Sequence, residues 1–295
     1  MMLSSLLLCL LVNVFDIRAL AAQPNNLGSS FDGNYAITWG NNYYLDTTTR
    51  TLVNKSFITR LSFFFCFIGS GFGSKLSYGS GLFHFRIMLP AHDSAGVVTA
   101  YYLTSHGAHH DELDFEFLGN KEGKPYTLQT NVFTQGQGNR EQRITLWFDP
   151  TTSYHAYRIL WNPYQIVFYV DDTPIRVYKN KTNIGVKYPS QPMQIVASLW
   201  DGESWATDGG QTKTDWTQAP FKAYFKGFNI SGCPSYNSNI QHCYSSKIWW
   251  NRYKYRSLSR NEEKLYEVVR DKYLNYDYCS DRSRYSITPP ECPHQ

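Results

Sequence analysis

The sequence predicts an all-β protein, a β-sandwich or jelly roll, followed by a short, disulfide-stapled, partly helical C-terminal extension. Three observations carry that expectation. From residue 31 to about residue 228 the chain is a succession of short strand-like runs. Clusters such as Trp161-Asn162-Pro163 and Asp171-Asp172-Thr173-Pro174 punctuate them with turn chemistry. Helical spacing of apolar residues is confined to 261–273. Nothing alternates strand with helix in the way a parallel sheet requires.

The elements follow in order. Strands are expected at 83–89, 127–133, 143–148, 156–161, 166–170 and 175–178, where apolar and polar residues alternate. A helix is expected at 261–273, with Asn261 as N-cap and Leu265, Val268, Val269 and Tyr273 as its apolar face. No flexible linker separates this end from the strands, so the extension should pack on the sandwich. No internal repeat is visible.

Composition narrows the function. Hydrophobic residues are 42% of 295, enough for a large core, which excludes a disordered chain, a coiled coil and a collagen. The formal charge of +4 comes without a Lys/Arg cluster, so nucleic acid is not an expected partner. Aromatic residues are 17% against only 18% charged, which suits either a ligand-binding surface for neutral sugars or a Tyr-rich β core.

The N-terminus reads as a secretory signal. Its apolar run at 3–15 is too short to span a bilayer, and Ala19-Leu20-Ala21 is an A-x-A cleavage site. No later run is long enough to cross a membrane; the most apolar, at 61–68, has eight residues. Cys9 leaves with the signal. Cys233, Cys243, Cys279 and Cys292 form an even set in an oxidising compartment and read as two disulfides. Three pairings are possible, and proximity favours Cys233–Cys243 with Cys279–Cys292. Cys66, in its apolar run, reads as a buried thiol. Sequons begin at Asn54, Asn180 and Asn229.

The most informative stretch is His110-Asp111-Glu112-Leu113-Asp114-Phe115-Glu116-Phe117-Leu118-Gly119. In a strand, Glu112, Asp114 and Glu116 share one face while Leu113, Phe115 and Phe117 share the other. Three carboxylates on one face repel one another. Three readings compete: a solvated polar face, a metal site drawing on His109 and His110, and paired carboxyls for glycoside chemistry. No EF-hand or H-E-x-x-H spacing accompanies the acids. Positions 112 and 116 lie roughly 13 Å apart along an ideal strand, so a concave strand and converging side chains are needed for the third reading.

The H-D-E-L-D-F-E-F-L-G stretch resembles the signature of plant xyloglucan endotransglucosylase/hydrolases, in glycoside hydrolase family 16. The resemblance continues through Leu128-Gln129-Thr130-Asn131-Val132-Phe133, Asn139-Arg140-Glu141-Gln142-Arg143, Leu146-Trp147-Phe148-Asp149-Pro150, Trp205-Ala206-Thr207-Asp208-Gly209-Gly210 and Asp281-Arg282-Ser283-Arg284-Tyr285, and covers about residues 33–292. Two stretches depart from the family: Asn120-Lys121-Glu122 is not a sequon where the family usually has one, and 61–68 is apolar where the family has a polar strand and turn.

The resemblance implies a curved, concanavalin-like jelly roll with a long open cleft. It implies residues 1–21 as signal peptide, 22–220 as the catalytic unit and 221–295 as the extension. Glu112 is then the nucleophile, Glu116 the proton-holding acid/base that also touches substrate, and Asp114 the assisting acid. Gln129, Thr130, Asn131, Asn139, Arg140, Glu141, Ser204, Trp205, Gly209 and Arg284 are the implied glucan contacts. The implied activity is retaining cleavage of xyloglucan and transfer to another xyloglucan chain or to water, in the cell wall and apoplast. The expected partners are xyloglucan donor and acceptor; the expected state is a monomer with no metal, cofactor or membrane. A non-catalytic cell-wall glycan-binding protein on the same fold is the alternative reading, against which the three acids argue.

Overall fold

The computed structural model describes residues 30–40, 43–45, 50–56 and 67–295. The signal run and Cys66 lie outside the described residues. The chain opens with α1 (Ser30–Asn34), β1 (Tyr35–Trp39), β2 (Tyr43–Leu45), β3 (Arg50–Ser56), β4 (Phe67–Ile68) and the long β5 (Ser70–Met88). Then come β6 (Val97–Thr104), β7 (Glu112–Leu118), β8 (Thr127–Phe133), β9 (Gln142–Thr145), β10 (His155–Trp161), β11 (Gln165–Val170), β12 (Thr173–Lys179) and β13 (Met193–Asp201). β14 (Phe221–Lys226), β15 (Ser231–Pro234), α2 (Arg260–Lys272) and β16 (Leu274–Asp277) complete it.

β5 builds the sandwich by crossing from one layer to the other. Its first half pairs with β1 and β13, and its second half pairs with β10 and β14. The inner layer runs β1-β5-β13-β6-β7-β8-β9-β16, and the outer layer runs β12-β11-β10-β5-β14-β3-β2. Gly81 sits at the crossing. A methyl group there would stand 2.5 Å from the Phe83 ring and 2.6 Å from the Ser231 carbonyl, so no side chain fits.

The two layers close on aromatic side chains. Phe115 meets Phe168 edge-on at 5.2 Å, and Phe117 meets Tyr157 at 4.5 Å. Leu113, Phe115 and Phe117 are fully buried in this core. The period-two alternation of β7 therefore sends its three acids to the opposite, open face of the inner layer.

The C-terminal residues are built into the sandwich. β14 continues the outer layer past residue 220, β16 pairs with β9 at the edge of the inner layer, and α2 packs on β12. Asn162 donates from Nδ2 to the Trp250 and Tyr255 carbonyls at 3.0 Å each. Disulfides join Cys233 to Cys243 and Cys279 to Cys292. They close local loops within this region, each contributing about 2–4 kcal/mol.

The helix differs from its expected form in two respects. Its N-cap is Ser259, not Asn261, because Ser259 and Glu262 form a reciprocal capping box: the Ser259 amide donates to Glu262 Oε2 at 2.8 Å. Its buried face is Tyr266 and Val269, while Leu265 and Val268 are about half exposed. Tyr266 packs with Val167, Val177 and Trp250, a cluster the aliphatic spacing alone does not reveal.

Candidate active site

β7 lies between β6 and β8 in the inner layer. The register sets Glu116 opposite Gln129, Asp114 opposite Asn131 and Glu112 opposite Phe133. On the other side Glu116 faces Ala100, Asp114 faces Tyr102 and Glu112 faces Thr104. All of these neighbours but Thr104 line a cleft of about 420 Å³ with the three acids, together with Ser198, Trp200 and Trp205. Asp111 anchors the start of the strand. It is buried, and its carboxylate accepts from the amides of Gln135, Ser190 and Gln191 at 2.7–3.0 Å.

The three acids have different surroundings. Burial raises all three, and it raises Asp114 furthest, because the charges of Glu112 and Glu116 add to it on both sides. The Asp114 carboxyl hydrogen-bonds to Glu112, which favours the proton on Asp114 and the charge on Glu112. Thr104 and His110 favour that charge further. Around Glu116, burial is opposed by a hydrogen bond from Gln129 and by the Arg143 cation, while Glu112 and Glu141 push the same way as burial. Gln129 donates from Nε2 to Glu116 Oε2 at 2.6 Å and accepts at Oε1 from Arg143 Nε at 2.6 Å. Glu116 is thus raised, as an acid that holds a proton requires, and Asp114 between the two glutamates is held well above the ordinary carboxylate range.

A stability prediction follows from the sign of these shifts. A carboxyl whose folded-state pKa is raised contributes stability while protonated and loses it as pH rises above the ordinary carboxylate range. Asp114→Asn keeps the donor and cannot ionise. Its melting temperature should exceed the wild type's at neutral pH, and the gap should close as pH falls to about 4. A variant that melts below the wild type at every pH contradicts the buried, protonated Asp114.

The implied contacts separate into those at the cleft and those away from it. Gln129, Asn131, Glu141 and Trp205 line it. Trp205 stands 6.0 Å from Trp200. Ser204 and Gly209 are exposed on the same loop without lining the cleft, and Gly209 takes a positive φ of 65°. Asn139 and Arg284 meet at the extension: Arg284 donates to Asn139 Oδ1 at 2.7 Å and to Glu141 Oε2 at 2.5 Å. Arg284 thereby stands beside the cleft wall at Glu141.

Two contacts need correction. Thr130 occupies an odd position of β8 relative to Gln129 and Asn131, so its side chain is buried on the core side, where Arg176 Nη1 donates to its Oγ1 at 3.1 Å. Arg140 turns away from the cleft. Its Nε donates to Glu291 Oε1 at 2.8 Å, and its Nη1 donates to the carbonyls of Val132 and Gln137. Arg140→Ala would leave Glu291, 5% exposed, without its cation. We expect it to lower stability by about 3–5 kcal/mol, measured by urea unfolding, with KM for glucan unchanged in the folded fraction.

Tyr102, Ser198, Trp200, Arg143 and Tyr276 are site residues the sequence reading missed. Tyr102 is pushed up to about 12, first by burial and then by Glu112 and Asp114. Tyr276, on β16, carries the Arg143 guanidinium over its ring at 5.4 Å. Arg143 shares the strand face of Glu141 two residues before it, a signal that was available. The others depend on strand register. Among the described residues, Cys233, His242 and Cys243 are the one grouping with metal-ligand proximity, and both its sulfurs are committed to the disulfide.

Comparison with known proteins agrees with this architecture. The model for glycosyl hydrolases family 16 matches residues 31–218, and that for the xyloglucan endo-transglycosylase (XET) C-terminus matches residues 244–292. The chain is 58% identical over 266 residues to xyloglucan endotransglucosylase/hydrolase protein 2 of Arabidopsis thaliana, covering 89% of this chain and 88% of that protein. It is 50% identical to xyloglucan endotransglucosylase/hydrolase protein A of Phaseolus angularis, covering 98% and 97%. Among solved structures, a β-1,3-1,4-glucanase (lichenase) from a mouse hindgut metagenome superposes with a TM-score of 0.52 at 22% identity, over 68% of this chain and 94% of that one. The Crh5 transglycosylase superposes at 0.56 and 18% identity, over 75% and 88%. Both share the fold. With the family model spanning most of the sandwich and relatives this similar along nearly the whole length, the chain belongs to glycosyl hydrolase family 16, among the xyloglucan endotransglucosylase/hydrolases.

Proposed function

We propose that the protein is a secreted enzyme that cuts the β-1,4-glucan backbone of xyloglucan with retention and passes the cut end to another xyloglucan chain or to water. The observation that carries this reading is the unequal environment of three acids in one cleft. Burial raises Glu112, and Thr104, His110 and the Asp114 hydrogen bond oppose that rise by favouring its charge, which suits attack on the anomeric carbon. Glu116 is held by Gln129 between opposing charges, which suits a group that gives and then takes a proton.

In the first step, the Glu112 carboxylate attacks the anomeric carbon as Glu116 protonates the departing glucan oxygen. Charge on Glu112 is consumed in the glycosyl ester, which removes one of the two charges that raise Asp114. In the second step, Glu116 removes the proton from an acceptor hydroxyl, which displaces Glu112 and restores the original configuration. The residues up to 21 act as the signal peptide, and the enzyme works in the cell wall and apoplast as a monomer. The two disulfides in the extension support an oxidising compartment. Xyloglucan chain length, measured with and without an added xyloglucan oligosaccharide, tests the reading. Unchanged chain length under both conditions rejects it.

A further inference from the structure

The inner layer carries a continuous cross-strand row that leads away from Glu116. Glu116 on β7 is in register with Ala100 on β6, Ala100 with Ser198 on β13, Ser198 with Gly71 on β5, and Gly71 with Trp39 on β1. Residues in register point to the same face of a sheet. Ala100 and Ser198 line the cleft, so Gly71 also faces the open side.

Trp39 should not be there on alternation alone. Tyr35 is buried in the core and Ile37 packs against it, so Trp39 two residues later is due on the core side. A bulge between Ile37 and Trp39 adds a residue to β1 and turns the indole to the other face. There the ring lies across two glycines. A methyl group at Gly71 would stand 2.4 Å from Trp39 Nε1, and one at Gly69 would stand 2.5 Å from the far edge of the ring. Trp39 keeps 41% of its surface exposed. A large indole laid over side-chain-free backbone and open to water on its outer face is a flat apolar platform in line with the cleft.

We propose that Trp39 is a sugar-stacking platform at the end of the cleft opposite Arg284, binding a ring of the donor glucan remote from the bond that is cut. The inference rests on the proposed function for the direction of the chain: Arg284 and Glu141 flank the acceptor side, so the row toward β1 holds the donor. The equatorial substituents of a β-glucosyl ring leave apolar C–H faces that match an indole. Four strand spacings separate β7 from β1, roughly 19 Å along a flat sheet, so only a donor several rings long reaches the platform. The small side chains of Ala100, Ser198 and Gly71 leave the floor between them low enough for the chain to pass.

The test is a donor-length series. Trp39→Ala should lower kcat/KM about tenfold on a long xyloglucan donor, mainly through KM, while changing a short donor ending near the scissile bond less than about twofold. Trp39→Phe, which keeps a flat face, should restore most of the loss. Equal losses on long and short donors assign Trp39 a structural role and overturn the proposal, as does no loss on the long donor. Binding of long and short xyloglucan oligosaccharides to the Glu112→Ala protein, with and without Trp39→Ala, gives the same comparison without turnover. If the wild type leaves xyloglucan uncut, the proposed function fails while this binding arm still decides the platform. A Trp39→Ala protein that does not fold leaves the decision to Trp39→Phe and to Gly71→Ala, whose methyl group displaces the ring: long-donor affinity should fall with Gly71→Ala, and unchanged affinity overturns the proposal.

Discussion

Glu112→Ala is expected to lose at least about 10⁴-fold in turnover of xyloglucan, for transfer and hydrolysis alike, because both pass through the same glycosyl ester. The fold should survive. Burial raises Glu112, so at neutral pH its ionised form is held against the preference of the folded state, and its deletion removes a charge that pushes Asp114 up. Hydrogen bonds from Thr104 and Asp114 are lost with it, and Asp114, left without a charged neighbour at position 112, becomes easier to ionise. The melting temperature at neutral pH should therefore stay at or above that of the wild type. Added azide, entering the space of the missing carboxylate, should displace an activated leaving group and give the α-glycosyl azide, inverted from the β-substrate. Retention of more than a tenth of wild-type turnover assigns the attack to another group.

Local and non-local information contributed differently to what could be read beforehand. The shared face of Glu112, Asp114 and Glu116 follows from the two-residue period of a single strand, so it was legible from ten consecutive residues. The Ser259 capping box was equally local, four residues written as Ser-x-x-Glu, and the choice of Asn261 overlooked it. What the sequence could not show is which residues lie beside the acids. Ala100, Tyr102, Ser198 and Gly71 reach the cleft face only through pairings between strands distant in the chain. One residue of slip in any of them would send the side chain to the core.

Motif resemblance has the complementary weakness. It locates a segment without giving side-chain direction. Thr130 and Arg140 sit in segments that border the cleft, yet one alternates into the core and the other reaches Glu291 across 151 positions of sequence. Trp39 shows the same limit from the other side. An alternating run places it in the core, and a single bulge, invisible in composition, moves it to the open face. The three acids also differ in energy. Asp114 is flanked by two acids and more deeply buried than either, and a spacing argument treats all three alike.

Glu116→Ala should separate proton transfer from attack. A natural glucan leaves as an alkoxide unless it is protonated, so the variant should lose about 10²–10⁴-fold on xyloglucan, the range that positioned acid–base catalysis supplies. An aryl glycoside with a good leaving group needs no such proton, and its first step should remain near the wild-type rate. The glycosyl ester should then accumulate, because no base activates the acceptor. Azide needs no deprotonation and should release it as the β-glycosyl azide, the net outcome of two inversions. The pH profile carries a second signature. In the wild type the alkaline limb of kcat/KM on xyloglucan belongs to the coupled acids, raised by burial and by the charges of Glu112 and Glu141 and lowered by Gln129 and Arg143. Removing Glu116 should flatten that limb for the aryl substrate. If azide instead yields the α-product from Glu116→Ala, the ester forms on no other residue than the one deleted, and the nucleophile and the acid/base exchange places.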